Sequence, residues 1–153
     1  MNIYVLEVFL ISGPITEEFA KKNPVVSRTI EIRGDQTLED LHYAIFKAFN
    51  REEQHFYEFQ VGGKGPNDPK AKRYGLTAHI DEEQGDAKKA TIDSLHIKKD
   101  KSFGYWFDFG DDWWHQVNVV SFENKTPKGR YPKVTNRVGK SPPQYADFDE
   151  EDG

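Results

Sequence analysis

Residues 3–11, Ile-Tyr-Val-Leu-Glu-Val-Phe-Leu-Ile, are apolar on both faces of an extended chain. Side chains alternate along a strand, so Ile3, Val5, Phe9 and Ile11 share one face and Tyr4, Leu6, Val8 and Leu10 the other. A strand of this kind belongs in the middle of a sheet that is covered on both sides. Ser12-Gly13-Pro14 ends it. No basic residue precedes the run, no small-residue cleavage site follows, and Glu7 sits in its centre, so it reads neither as a signal peptide nor as a bilayer span. No other apolar run is long enough to cross a membrane. The expectation is a soluble, cytoplasmic protein with no membrane partner.

Further strands and one helix follow from periodicity. Val25–Arg33 alternates, with Val26, Ile30 and Ile32 facing inward and Arg28 interrupting that row. Residues 37–50, Thr-Leu-Glu-Asp-Leu-His-Tyr-Ala-Ile-Phe-Lys-Ala-Phe-Asn, carry an apolar stripe at helical spacing: Leu38, Leu41, Ile45, Ala48 and Phe49. Thr37 caps that helix, with Asp40 three residues on, and Asn50 suits its end. His42 lies at the edge of the stripe. A short helical turn is expected over Ile15–Lys21 and another over Ala90–Leu95. Residues 55–62 alternate with Tyr57, Phe59 and Val61 on one side. Strands are expected over Phe103–Phe109 and Trp113–Phe122, and a short one near Tyr131–Val134. Residues 62–75 and 81–89, rich in Gly, Pro and Lys or in acids, read as loops.

This order predicts an α+β fold: a single domain over 1–145, β-grasp-like, with a mixed sheet and one main packed helix. Residues 146–153 read as a flexible acidic tail. The chain has 153 residues, enough for one core without disulfides or a structural metal. Hydropathy is low, but 21 aromatic residues (three Trp, seven Tyr, eleven Phe) supply large buried areas. The absence of cysteine excludes thiol chemistry and cysteine metal sites.

Net charge is −5, a poor match to polyanionic nucleic acid. The charge is unevenly spread. Lys125, Lys128, Arg130, Lys133, Arg137 and Lys140 form a basic segment, and acids dominate 147–152. Nucleic-acid binding through 125–140 is the weaker reading; a solvated strand and tail is the stronger one.

The densest chemistry is Phe107–His115, Phe-Asp-Phe-Gly-Asp-Asp-Trp-Trp-His, with three carboxylates, two tryptophans and a histidine. The apolar alternation selects a hairpin register. With Gly110-Asp111-Asp112 as the loop, Phe109 opposes Trp113 and Phe107 opposes His115, which puts the large groups on one core face. His115 is then a core-edge histidine, and Asp111 and Asp112 accept turn amides. Trp106 and Trp114 fall on the other face beside Asp108. Two tryptophans straddling a carboxylate there read as a contact surface, with a protein as the expected partner, or as a face covered by the C-terminal segment.

The alternative is enzymatic. Asp108, Asp111, Asp112 and His115 are ligand types suited to a divalent metal, with His42 or His55 completing the shell. A metal-dependent hydrolase or nuclease-like activity would follow. Other chemistry is excluded by spacing. Gly62-Gly63-Lys64-Gly65 lacks the phosphate-loop pattern and a following helix. Asp108-Phe109-Gly110 stands without the other kinase motifs, and Ser94 and Ser102 sit in no nucleophile elbow.

These residues carry a family resemblance. Arg28, Leu41-His42, His55-Phe56-Tyr57-Glu58-Phe59, Tyr74, Thr91-Ile92-Asp93-Ser94-Leu95 and above all Tyr105–His115 resemble the plasmid pRi ORF-three-like family, also described as insertion-element passenger proteins. The resemblance covers roughly residues 3–145 and implies no established activity. The family pattern ends in a Cys-Pro-Pro-Glu-Asp-Cys-Gly-Gly-like segment; this chain keeps Pro142-Pro143 and loses the cysteines and glutamate. The resemblance and the residue chemistry agree on Asp108, Asp111, Trp113, His115, His42 and His55 as the positions of interest. With Trp106 and Trp114 from the residue reading, these are the expected site residues of a non-enzymatic binding module.

Overall fold

The computed structural model describes residues 1–75 and 85–145. The tail at 146–153 lies outside them. β1 (Asn2–Ser12) pairs antiparallel with β2 (Ser27–Arg33) on one side and with β7 (Trp113–Asn124) on the other. Its central place follows from its sequence. Its cover follows only in part: Tyr4, Leu6 and Val8 are buried on one face, while on the other Ile3 is buried, Val5 and Phe9 are half-buried and Ile11 is 52% exposed. Helical cover falls on one face of the sheet, and the other is left partly open at its apolar end.

The sheet runs β5-β4-β3-β6-β7-β1-β2-β8 among the described residues. β3 is Tyr57–Val61, β4 Lys72–Gly75, β5 Gly85–Asp86, β6 Ser102–Phe107 and β8 Lys133–Val138. Among the described residues only β4 and β5 pair in parallel, so the sheet is mixed and the fold is α+β. β4 and β5 fall where loops are expected from sequence. β4 is four residues long with two basic side chains, which hides its strand character; Arg73 pairs across to Glu58 of β3. The expected strand at 131–134 forms instead at β8, two residues later, paired with β2.

α1 (Glu17–Lys22) is short and capped by Thr16. α2 (Leu38–Ala48) lies on the covered face and buries Leu38, Leu41, His42, Ile45 and Ala48. Its start is a capping box: Asp40 N donates to Thr37 Oγ1 at 3.2 Å and Thr37 N to Asp40 Oδ2 at 2.9 Å. Asn50, in the left-handed region at φ 54°, turns the chain after it and sends Arg51 back into the core. Arg28 is itself buried. Its guanidinium donates to the carbonyls of Ala48, Ser27, Val138 and Gly139, tying β2 to the end of α2 and the end of β8. The core is one cluster in which α2 meets Leu6, Val8, Ile30, Ile32, Phe59, Tyr105, Phe107 and Trp113. Among the described residues no helix is long and apolar enough to cross a membrane.

Candidate functional site

The β6–β7 hairpin pairs Phe107 with Trp113, Trp106 with Trp114 and Tyr105 with His115. The register differs from the expected one by two residues. Two residues are one full pleat period, so each strand residue keeps its face. The loop is longer, Asp108–Asp112, because Asp108 and Asp112 both adopt left-handed backbone, at φ 61° and 57°. Aspartate tolerates this region better than most residues. Asp108 Oδ1 accepts from Gly110 N at 3.1 Å and Asp111 N at 3.3 Å. The turn acceptor is therefore Asp108, not Asp111 or Asp112. Phe109 moves into the loop and off the core, 43% exposed.

The displaced Phe109 completes a row of rings on the open face. Trp114 stacks on Trp106 with centroids 4.9 Å apart, and Trp106 on Phe109 at 4.1 Å. Phe109 in turn stacks on Phe56 at 6.0 Å, and Phe56 is 60% exposed. Trp106 Nε1 donates to Asp112 Oδ1 at 2.8 Å, which fixes the indole's orientation. Phe9 lies on the neighbouring strand, where its partner Gln116 is next but one to Trp114 on the same face.

Beneath the hairpin lies a buried polar network centred on Tyr105. Its hydroxyl contacts His42 Nδ1 at 2.6 Å, and its carbonyl contacts His115 Nδ1 at 3.2 Å. His42 Nε2 faces Gln54 Oε1 at 2.9 Å, and His115 Nε2 faces Arg51 Nη2 at 3.1 Å. The partners fix the tautomers: His42 donates from Nε2 and accepts at Nδ1, and His115 does the reverse. Burial lowers His42 to about 4; its bond to Gln54 opposes the shift and the Arg51 charge adds to it. Burial, then Arg51, push His115 well below its ordinary value. Both rings are therefore neutral at pH 7. Arg51 stays charged although burial lowers it to about 10. Its guanidinium sits over the rings of Trp113, Phe49 and Phe107, 4.6 to 5.3 Å from their centroids. Its Nε and Nη1 have no hydrogen-bond partner among the described residues.

At the margin of the ring row, His55 Nε2 is 3.4 Å from Asp108 Oδ2 and 2.9 Å from the Tyr145 hydroxyl, which donates to Glu53. The segment 141–145 is strapped over this loop. Ser141 Oγ donates to Phe49 O, and Gln144 Oε1 accepts from Glu52 N and Glu53 N at 2.6 and 2.9 Å. A pocket of about 400 Å³ opens beside it, lined by His42, Tyr43, Gln54, His55, Phe56 and Tyr57.

The expected metal ligands are not gathered. Asp108 is engaged by the turn amides and His55, Asp112 by the Trp106 indole, and His115 by Arg51 and Tyr105. Among the described residues no three histidine or carboxylate side chains are grouped so as to hold a metal ion. Trp113 and His115 are fully buried, so they support the site from below and do not touch a surface ligand. Of the expected binding residues, the structure brings Trp106, Trp114, Asp108, His55 and the edge of His42 to one region. Asp111 stands at the loop tip. Sequence reasoning misses Arg51, Gln54 and Gln144: each lies in a polar loop, and only the left-handed turn at Asn50 signals that the chain re-enters the core. The basic segment is dispersed, with Lys133 over the Tyr131 ring and donating to Lys128 O, and with Lys125 3.9 Å from Glu123.

Comparison with known proteins gives the kinship. The chain is 28% identical over 127 residues to the uncharacterized protein y4hQ of Sinorhizobium fredii, covering 79% of this chain. It spans about 59% of that relative's length. Its fold is that of a protein of unknown function from Methanosarcina mazei Go1, with a TM-score of 0.72, 24% identity, and coverage of 94% of this chain and 72% of that one. The sequence profile of one family matches residues 15–148, including α2, the β6–β7 hairpin and the 141–145 strap, and on that match the chain belongs to the plasmid pRiA4b ORF-3-like protein family.

Proposed function

We propose that the chain is a non-catalytic binding module of the cytoplasm, acting as one domain that engages a protein partner through its aromatic row. The observation that carries this reading is the continuous stack Trp114–Trp106–Phe109–Phe56 on a sheet face that no helix covers among the described residues. Tryptophan and tyrosine anchors ringed by polar groups are the pattern of protein-contact hot spots. The rim here supplies Asp111, Asp112, His55 and Tyr145. Its carboxylates disfavour a phosphate backbone, so nucleic acid is the poorer partner. The two buried histidines are neutral, and both nitrogens of each are engaged, which leaves neither as a free base at the surface. The metal-dependent hydrolase reading has less support, since Asp108, Asp112 and His115 are each held by other groups. The family's name refers to a plasmid, so products of mobile elements are the first partners to try. The β-grasp-like comparison rests on α2 crossing the sheet between β2 and β3.

The test is a photo-crosslinking amino acid placed at Trp106 or Trp114, against the same group at Glu31 on the far side of the open face. The reading predicts crosslinks to one partner protein from the two tryptophan positions only. Equal crosslinking from Glu31 contradicts it.

A further inference from the structure

A second concavity lies at the opposite end of β3 from the His42–Tyr57 pocket, where the strand runs out into Gly62-Gly63 and β6 begins. Its volume is about 370 Å³, within the range of small-molecule sites. Two chemistries line it. Val61, Phe103 and Val119, all buried, form the floor with half-buried Leu95. His96, Lys98, Lys101 and Ser102 form the rim. No carboxylate is among the described residues that line it.

The rim is not a loose tail. Lys101 N donates to Lys98 O at 3.1 Å, Val119 N to Lys101 O at 2.9 Å, and Asp100 N to Val119 O at 2.9 Å. These bonds pin the 98–101 ledge onto β7, and left-handed backbone at His96 and Asp100 bends it around the opening. Neither lysine ammonium has an ion-pair partner among the described residues. Gly62, at φ 95°, turns the chain at the mouth, and a Cβ there would meet open space. The spacing that rules out a phosphate loop at Gly62–Gly65 is thus beside the point: the lysines that face these glycines come from a different segment.

The two linings select a ligand between them. Inorganic phosphate would leave half-buried Leu95 uncovered, and a neutral apolar molecule would leave the ammonium groups without a counter-charge. An apolar floor also keeps water off one side of an anion at the rim, which strengthens the charged hydrogen bonds made there. We infer that this cavity binds a small organic anion, its apolar body against Leu95, above the buried Val61, Phe103 and Val119, and its anionic group between Lys98 and Lys101 beside the Ser102 hydroxyl. In a chain of net charge −5 this is a cationic site built by the fold. It does not depend on the aromatic row.

The test is a ¹H–¹⁵N NMR titration with naphthalene-2-sulfonate, with naphthalene-2-sulfonamide and inorganic phosphate as comparisons. The sulfonate produces saturable shifts at 61–63, 95–103 and 119, and the two comparison probes bind at least about tenfold more weakly. Lys98→Gln/Lys101→Gln lowers sulfonate affinity about tenfold while keeping the fold, because both side chains are exposed. Trp106→Ala/Trp114→Ala leaves it unchanged. Equal binding of the sulfonamide, undiminished binding to the lysine variant, shifts centred on the aromatic row, or no saturable shift would each overturn the inference.

Discussion

Arg51 and His115 share a 3.1 Å hydrogen bond inside the core, with the guanidinium donating from Nη2 to the imidazole Nε2. No carboxylate lies within ion-pair distance of Arg51 among the described residues; its charge is balanced by three aromatic faces. Arg51 thus does two things: it fills the space between Phe49, Phe107 and Trp113, and its charge adds to the burial that keeps the two histidines neutral. Substitutions separate the roles. Arg51→Ala loses about 3 kcal/mol or more through the cavity, and Arg51→Met recovers about 2 kcal/mol of that by refilling it. Both variants raise the pKa of His42 and His115, since the Arg51 charge lowers each. Urea denaturation gives the first result and NMR titration of the imidazole protons the second.

His42 makes stability depend on pH. Its folded-state value, about 4, lies below its ordinary 6.5, so the unfolded chain binds a proton that the folded chain refuses. The contribution is full above pH 6.5 and is lost as pH falls from there to about 4, amounting to about 3 kcal/mol over that window. His115 adds in the same direction. His42→Phe is less stable at pH 7, because Tyr105 and Gln54 lose a partner, and its stability falls less steeply between pH 6.5 and 4. Urea midpoints at a series of pH values for both proteins measure the difference.

Asp108 shapes the hairpin loop through its backbone and its side chain together. Asp108→Asn keeps both the turn acceptor and tolerance of a left-handed φ, so it costs under about 1 kcal/mol. Asp108→Ala keeps neither and costs about 2 kcal/mol. If a carboxylate charge were the feature needed at this position, the two substitutions would cost the same in thermal denaturation.

The parts of the fold set by alternation were legible in sequence. β1 is central, α2 carries its expected stripe and capping box, and Tyr105, Phe107, Trp113 and His115 share the core face. What was illegible depended on single backbone choices. The left-handed turn at Asp108 moved Phe109 from the core to the surface and so built the aromatic row. Asn50 turned Arg51 inward from a stretch, Arg51-Glu52-Glu53-Gln54, that reads as solvated loop. β4 was hidden because Lys72 and Arg73 are charged and its cross-strand partner Glu58 lies outside any local window. The open face of β1 was misjudged because apolar residues on both faces of a strand do not fix how far each is covered: Val5 and Phe9 are half-buried and Ile11 is exposed.

The most direct test of the aromatic row is affinity purification of the wild type and of Trp106→Ala/Trp114→Ala side by side, with thermal denaturation as the folding control. The variant loses the ring stacking, on the order of 1 to 2 kcal/mol, and stays folded. The account predicts that a specific protein recovered with the wild type is absent from the variant. Recovery of the same protein in undiminished amount with the folded variant would contradict it.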